Sequence, residues 1–352
     1  MKGLIWFRND LRMDDNPALR NACIECEEVQ AIYIFSSRQN NLHNEANCKI
    51  EFLIENLKIL DQDLSKINIP LTIIDSTGFN DNKDIILNLI KDRSINKVFW
   101  NNQFGNDEQN RDDNVTRSLK KNGIEFSSYH EKVIFSPGSI RTAEDKPYSV
   151  FTPFKKKWIE NFNLDLLDIE FNYLSKKKTL IESNIFDFKF KYKRNHSVDM
   201  SLWPPGEAHA KDRLKLYLSN KILRYSQDRN DPIVDGTSRI SPYLANGIIS
   251  PKRCILEALK MNNFELDTGE KGIIKWIDEI IWREFYKNIM FCFPRVSQNK
   301  PFQDYTNNIE WRYEESELDA WKNGNTGFPI IDSAMKQLKS EGWMHNRLRM
   351  VV

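Results

Sequence analysis

The chain has 352 residues, enough for about two domains, and its 40% apolar and 29% charged residues place it among globular proteins and away from disordered, collagenous or membrane-spanning ones. No stretch approaches the roughly 18 apolar residues of a membrane span, and MKGLIWFRNDLR meets charge too early for a secretory leader, so a cytoplasmic protein without membrane contact is expected. The formal charge of +1 exerts no global pull, but residues 1–150 carry 19 basic against 23 acidic side chains and residues 151–352 carry 32 against 27, so a polyanion should prefer the second part.

The first 130 residues alternate compact apolar runs with helical patterns. Strands are predicted at 3–7, 29–35, 70–75, 97–101 and 124–129, and helices at 17–27, 46–66, 81–92 and 108–122, the first opened by Asn16-Pro17. Five strands with a helix in each of the four gaps between them predict a doubly wound parallel sheet. The turn after the first strand, RNDLRMDDN, has neither G-x-G-x-x-G nor G-x-x-x-x-G-K, which excludes the usual dehydrogenase and P-loop readings. Cys23 and Cys26 form a C-x-x-C inside a predicted helix without a second ligand pair, so they read as reduced structural thiols.

Residues 131–205 read as a connector, with a Pro137-Gly138 turn and lysine clusters at 155–157, 176–178 and 189–194, whose plain interpretation is a solvated linker. Beyond residue 205 the strand pattern ends. Segments 207–220, 251–261, 270–291, 315–323 and 329–341 have helical spacing, which predicts an all-α second domain over 206–352 after an α/β domain over 1–130.

Three segments hold side chains suited to chemistry. GTSRISPYLANG at 236–247 offers hydroxyls, backbone N–H groups and Arg239 to a phosphate, although a capped helix start explains it equally well; Tyr225 upstream could cover a ring. In 271–291, helical spacing sets Trp276, Glu279 and Arg283 on one face with Trp282 alongside, and Ile273, Ile277 and Ile281 on another. That face suits a cavity wall for a flat polar ligand, or else a plain Glu279–Arg283 pair with tryptophan packing. In GWMHNRLRMVV at 342–352, Asn346, Arg347 and Arg349 suit phosphates and base edges, while His345 reads by itself as a satisfied structural residue. No hydrolase triad order or metal motif is present.

With WFRNDLRMDDNPAL at 6–19, FTPFKKKW at 151–158, GTSRISPYL at 236–244, WREFY at 282–286, GNTGFPIIDSAMKQL at 324–338 and WMHNRLRM at 343–350, the sequence resembles the DNA photolyase and cryptochrome family from first strand to last residue. The resemblance implies an antenna domain, a helical domain holding FAD, and repair of cyclobutane pyrimidine dimers in DNA by light-driven electron transfer, in a lyase that needs no metal and works as a monomer. By motif match, Tyr225, Thr237, Ser238, Arg239, Ile240 and Ser241 bind the flavin cofactor, with Trp276, Arg283 and Arg349 near it. Glu279, Trp282, Asn346 and Met350 line the dimer pocket, where Trp282 stacks on a flipped-out dimer and a protonated Glu279 acts as donor. Arg229 and Arg347 meet the DNA backbone. Asn346 and Met350 favour dimer repair over 6-4 repair and over plant cryptochromes.

For the antenna, His43, Asn44, Asp107 and Glu108 match the positions that hold methenyltetrahydrofolate, Asp107 standing where an Asn is usual. The family continues past Val352 with an Asp-Gly-Asp flavin loop, an Asn beside the flavin and two inner tryptophans of the photoreduction chain, of which Trp311 matches the outer member. The resemblance therefore implies a C-terminally truncated photolyase, with a cryptochrome-like light receptor or an inactive fragment as alternatives.

Overall fold

A computed structural model describes residues 1–193 and 195–352; Arg194, the end of the predicted third basic cluster, lies outside them. The chain opens as β1 (Lys2–Phe7), α1 (Pro17–Glu25), β2 (Glu28–Phe35), α2 (Ser37–Leu42), α3 (Asn47–Ser65), β3 (Leu71–Asp75), α4 (Asn82–Arg93), β4 (Lys97–Asn101), α5 (Asn106–Lys121) and β5 (Glu125–Tyr129). All neighbours in the sheet are parallel, in the order β3-β2-β1-β4-β5. The chain thus winds one way to β3, then crosses back to β4, and the reversal opens a crevice at the strand ends. The strands are apolar throughout because helices cover both faces: Ile5, Phe7, Val29 and Phe99 join one core cluster, and Leu4, Trp6, Ile32, Val98 and Trp100 another.

Local signals set the ends of these elements. Asn16 accepts the Leu19 N–H at 3.1 Å ahead of Pro17, and Cys26 closes α1. The sequence reading missed α2, six residues being too few for periodicity, although Ser36 caps it by accepting the Gln39 N–H.

The segment 131–205 is more than a solvated linker. It forms α6 (Phe151–Asn161), whose Phe154 and Trp158 are buried. Farther on it runs along the edge strand β3, where Ser183 Oγ accepts the Leu71 N–H and the Asn184 amide bridges Ile73 N–H and C=O at 2.6 and 3.0 Å. These contacts cover backbone groups that an edge strand would otherwise expose. Of its first lysine run, Lys155 is spent on buried Asp278 at 2.5 Å and Lys157 on Glu160 at 3.2 Å.

The remainder is helical: α7 (Glu207–Asn220), α8 (Tyr225–Asp228), α9 (Ser241–Ala245), α10 (Pro251–Met261), α11 (Lys271–Cys292), α12 (Glu315–Asn323), α13 (Pro329–Glu341) and α14 (Asn346–Val351). The Ile273, Ile277 and Ile281 stripe of α11 is buried as its spacing predicts. Among the described residues no helix is long and apolar enough to cross a membrane.

The turn after β1, which lacks a phosphate fingerprint, serves as a clasp. Buried Arg12 donates to the Gly247, Asp14 and Asp15 carbonyls and pairs with buried Glu131 at 2.8 Å, while Leu11 N–H reaches Asn246 C=O. Gly247 is required there: its φ is +64°, and a Cβ would lie 2.2 Å from the Asn9 carbonyl oxygen. The β1 turn is thereby locked to the loop that follows α9.

Candidate functional site

The middle of α11 meets α7, α8 and the 236–241 loop. Trp276 is buried, donates its Nε1–H to Ser238 Oγ at 3.3 Å, and packs on Tyr217 of α7 with ring centroids 5.7 Å apart. Tyr217 in turn meets the edge of Tyr225 at 6.3 Å. One helical turn beyond Trp276, Glu279 forms an ion pair with Arg229, whose guanidinium lies 5.5 Å over the Tyr225 ring. Burial, then the nearby Glu279 carboxylate, pushes the Tyr225 phenol up to about 12, so it stays protonated.

The sequence reading placed Arg229 on the DNA backbone and a protonated donor at Glu279. The fold brings these two side chains together, because α8 packs directly against α11 and Arg229 is mostly buried there. It also reveals Tyr217, which no motif signalled. Only its place on the buried face of α7, with Leu214 and Leu218, could have pointed to it.

Arg239 adopts φ +48° at the tip of the GTSRIS loop. It donates to Glu341 at 2.9 Å and lies 4.5 Å over the Trp343 ring, which ties this loop to α13 and the segment before α14. Ile240 is buried, Thr237 and Ser238 are half-buried, and Ser241 is exposed at the start of α9. On α14, Asn346, Arg349 and Met350 are exposed; Arg349 donates to the Met344 carbonyl, and Arg347 reaches Asn230 through Nε at 3.1 Å and Nη2 at 2.6 Å.

Two residues of α11 are engaged otherwise than their spacing suggested. Trp282 stacks face to face on Phe151 of α6 with centroids 3.6 Å apart and lies near-parallel to Tyr286 at 5.6 Å, so it belongs to an aromatic cluster that joins α6 to α11. Arg283 is half-buried and donates to the Lys132 carbonyl at 2.5 Å and the Leu244 carbonyl at 3.3 Å, and loss of solvent around it holds its pKa below the ordinary value. It joins α9, α11 and the chain after β5, and does not pair with Glu279 as an i,i+4 reading would have it. Trp311 stands 69% exposed.

A second concavity of ≈ 400 Å³ opens at the strand ends beside α2 and α5. His43, Asp107 and Glu108 line it, together with Arg8, Tyr33, Lys49, Arg111 and residues Asn246 and Met290 of the helical part. His43 approaches Asp107 at 3.7 Å and Gln39 at 2.6 Å. Asn44, at φ +50° in the turn after α2, is not among the lining residues. Lys49 and Arg111 had no motif to mark them, and Arg8 lies in the WFRNDLRMDDNPAL motif without having been singled out.

Residues 3–171 match the DNA photolyase family, and residues 276–352 match the FAD binding domain of DNA photolyase. The chain is 37% identical over 352 residues to the deoxyribodipyrimidine photo-lyase of Buchnera aphidicola from Acyrthosiphon pisum, covering 99% of this chain and 72% of the relative. It is 34% identical to the enzyme of that name from Escherichia coli, covering 99% and 73%. The chain belongs to the DNA photolyase family. Among solved structures it superposes on a class III photolyase from Agrobacterium tumefaciens with TM-score 0.87 at 28% identity, covering 99% of this chain and 71% of that one. A Synechocystis cryptochrome, at TM-score 0.80 and 22% identity over 99% and 73%, shares the fold. The GTSRIS loop lies between the two family matches, so its place in the site rests on the geometry above.

The residues present fit a flavin dinucleotide. Among the described residues Tyr217 Oη and His345 Nε2 are buried without hydrogen-bond partners, Tyr217 beside Tyr225, Arg229 and Glu279, and His345 beside Arg347, Arg239 and Arg229. Buried polar atoms are rarely left so unless a ligand or water completes them. The surrounding donors, Arg229, Arg239, Arg347 and Ser238, suit phosphates and carbonyls, and Trp276 and Tyr225 suit flat rings.

Proposed function

We propose that this protein is a light-driven lyase that splits cyclobutane pyrimidine dimers in DNA with FAD as photocatalyst. The observation that carries the reading is one linked cluster, in which Trp276 meets Ser238, Arg229 joins Glu279 and covers the Tyr225 ring, and Arg229, Arg239 and Arg347 lie about His345. The names of the relatives point to the same substrate. Reduced FAD, when bound, supplies the electron that opens the dimer's ring.

The protein's own residues then have separable tasks. Tyr225, Thr237, Ser238, Arg239, Ile240, Ser241 and Trp276 hold the cofactor, with Arg283 and Arg349 supporting the frame around it. Glu279 and Asn346 take the polar edge of a flipped-out dimer, and Met350 and Trp282 take its apolar side. Arg229 orients Glu279 through their ion pair. Arg347, with one nitrogen near only the Met350 sulfur at 3.7 Å, keeps a donor for a phosphate. Trp311, at the surface, is the outer entry of an electron path to the flavin.

The strand-end concavity takes the antenna chromophore, for which methenyltetrahydrofolate suits the polar rim of His43, Asp107 and Glu108. The same reading has the protein acting on DNA in the cytoplasm as a monomer, which light scattering on the purified chain checks.

The deciding experiment is the visible spectrum of the purified chain after free flavin is removed, followed by illumination with a dimer-containing oligonucleotide. Bound flavin and light-dependent loss of dimers are expected. Bound flavin with photoreduction but no repair would make the protein a light receptor, and a colourless chain would overturn the reading.

A further inference from the structure

His345 is 3% exposed and has one of its two ring nitrogens in use. Its Nδ1 accepts the Arg347 backbone N–H at 3.1 Å, so Nε2 carries the proton and is the donor that has no acceptor. Burial, then Arg347 and Arg239, hold the imidazole below its ordinary pKa; Asp231 opposes them and Arg229 adds to them. The ring is therefore a neutral N–H donor set among three guanidinium groups and one carboxylate. Trp343 meets it edge-on at 6.2 Å and closes one side.

We propose that His345 donates its Nε2–H to a phosphate oxygen of the bound ligand, completing a recognition subsite with Arg239 and Arg347. A phosphate oxygen is an acceptor only and is negatively charged, which satisfies the buried N–H and the uncommitted Nη1 of Arg347 together, while Arg239 keeps its pairing with Glu341. Arg347 spends Nε and Nη2 on Asn230 but keeps Nη1 with nothing stronger than the Met350 sulfur. The subsite consists of side chains: α14 is only six residues long, and His345 itself takes the Arg347 N–H. This inference rests on the function proposed above, in which two phosphates are available, the diphosphate of FAD and the DNA backbone.

The test is His345→Asn, because asparagine keeps a capping acceptor for α14 and places nothing at the Nε2 position. Wild-type and variant chains are titrated with FAD, with riboflavin, and with a single-stranded oligonucleotide, and their melting temperatures are compared. A loss of tenfold or more for FAD with riboflavin unchanged assigns the subsite to the dinucleotide, and a comparable loss confined to the oligonucleotide assigns it to the DNA backbone. Affinities within twofold of wild type at an unchanged melting temperature would overturn the proposal. Should the wild type bind neither ligand, the proposed function fails, and the His345 ¹⁵Nε2 resonance upon addition of inorganic pyrophosphate still decides: a shift supports the subsite and a static resonance refutes it.

Discussion

Arg229 and Glu279 stand fifty positions apart in the chain and meet as an ion pair at the junction of α8 and α11, with both side chains largely withdrawn from solvent. A carboxylate held in this way is oriented before substrate arrives, so it can accept an N–H of a bound dimer without reorganising.

Removing either partner should separate chemistry from stability. Glu279→Gln keeps the shape and loses the charge, so repair per bound flavin should fall about 10- to 100-fold while flavin content stays constant. Arg229→Ala should cost about 1 kcal/mol of stability, since the pair is only partly buried, and should weaken dimer binding as well. Single-turnover repair with parallel thermal melts checks both.

The stack of Trp282 on Phe151 predicts that α6 helps to shape the dimer pocket. Phe151→Ala should free the Trp282 ring and cost about 1 kcal/mol of aromatic packing beyond the area lost. The expected result is weaker binding of dimer-containing DNA with binding to undamaged DNA unchanged, read by fluorescence anisotropy.

Gly247→Ala should be among the more damaging single-carbon additions, because the new methyl would meet the Asn9 and Asp10 backbone at a positive φ. A loss of about 2–4 kcal/mol is expected from this strain. Denaturant unfolding measures it, and the loosened clasp at Arg12 should appear as faster proteolysis of the 9–15 turn.

Glu284 supplies a pH test. It accepts N–H groups from Ile134, Phe135 and Trp158, yet burial outweighs these bonds and pushes its carboxyl up to about 7 from 4.5. The folded state thus binds this proton more tightly than the unfolded chain. Its contribution is full below about pH 4.5 and is lost as pH rises through about 7, an effect of at most about 3 kcal/mol. The melting temperature of wild type relative to Glu284→Gln should fall across that window and level off above it.

The architecture could be read from the sequence because its signals are local. Apolar alternation, Asn16-Pro17, and the spacing in α7, α10, α12 and α13 each lie within one short window, and those four helices span the residues that periodicity assigned them. The motifs likewise singled out Tyr225, Ser238, Trp276 and Glu279, and the fold links them in two contacts, Trp276 with Ser238 and Glu279 with the Arg229 that lies over Tyr225. Helix α2 escaped because a six-residue helix lacks a full apolar repeat.

Tertiary structure alone decided what those residues touch. Arg12 reaches Gly247, Asn184 seals β3, Phe151 covers Trp282, Arg229 engages Glu279, and Tyr217 and His345 are left with buried polar atoms that no described residue satisfies. Most of these partners are fifty or more residues apart in the chain, and their meeting depends on how α6, α8 and α11 pack once the apolar faces are buried. Periodicity specifies which face of an element goes inward; only the packed fold sets which charge or ring it finds there.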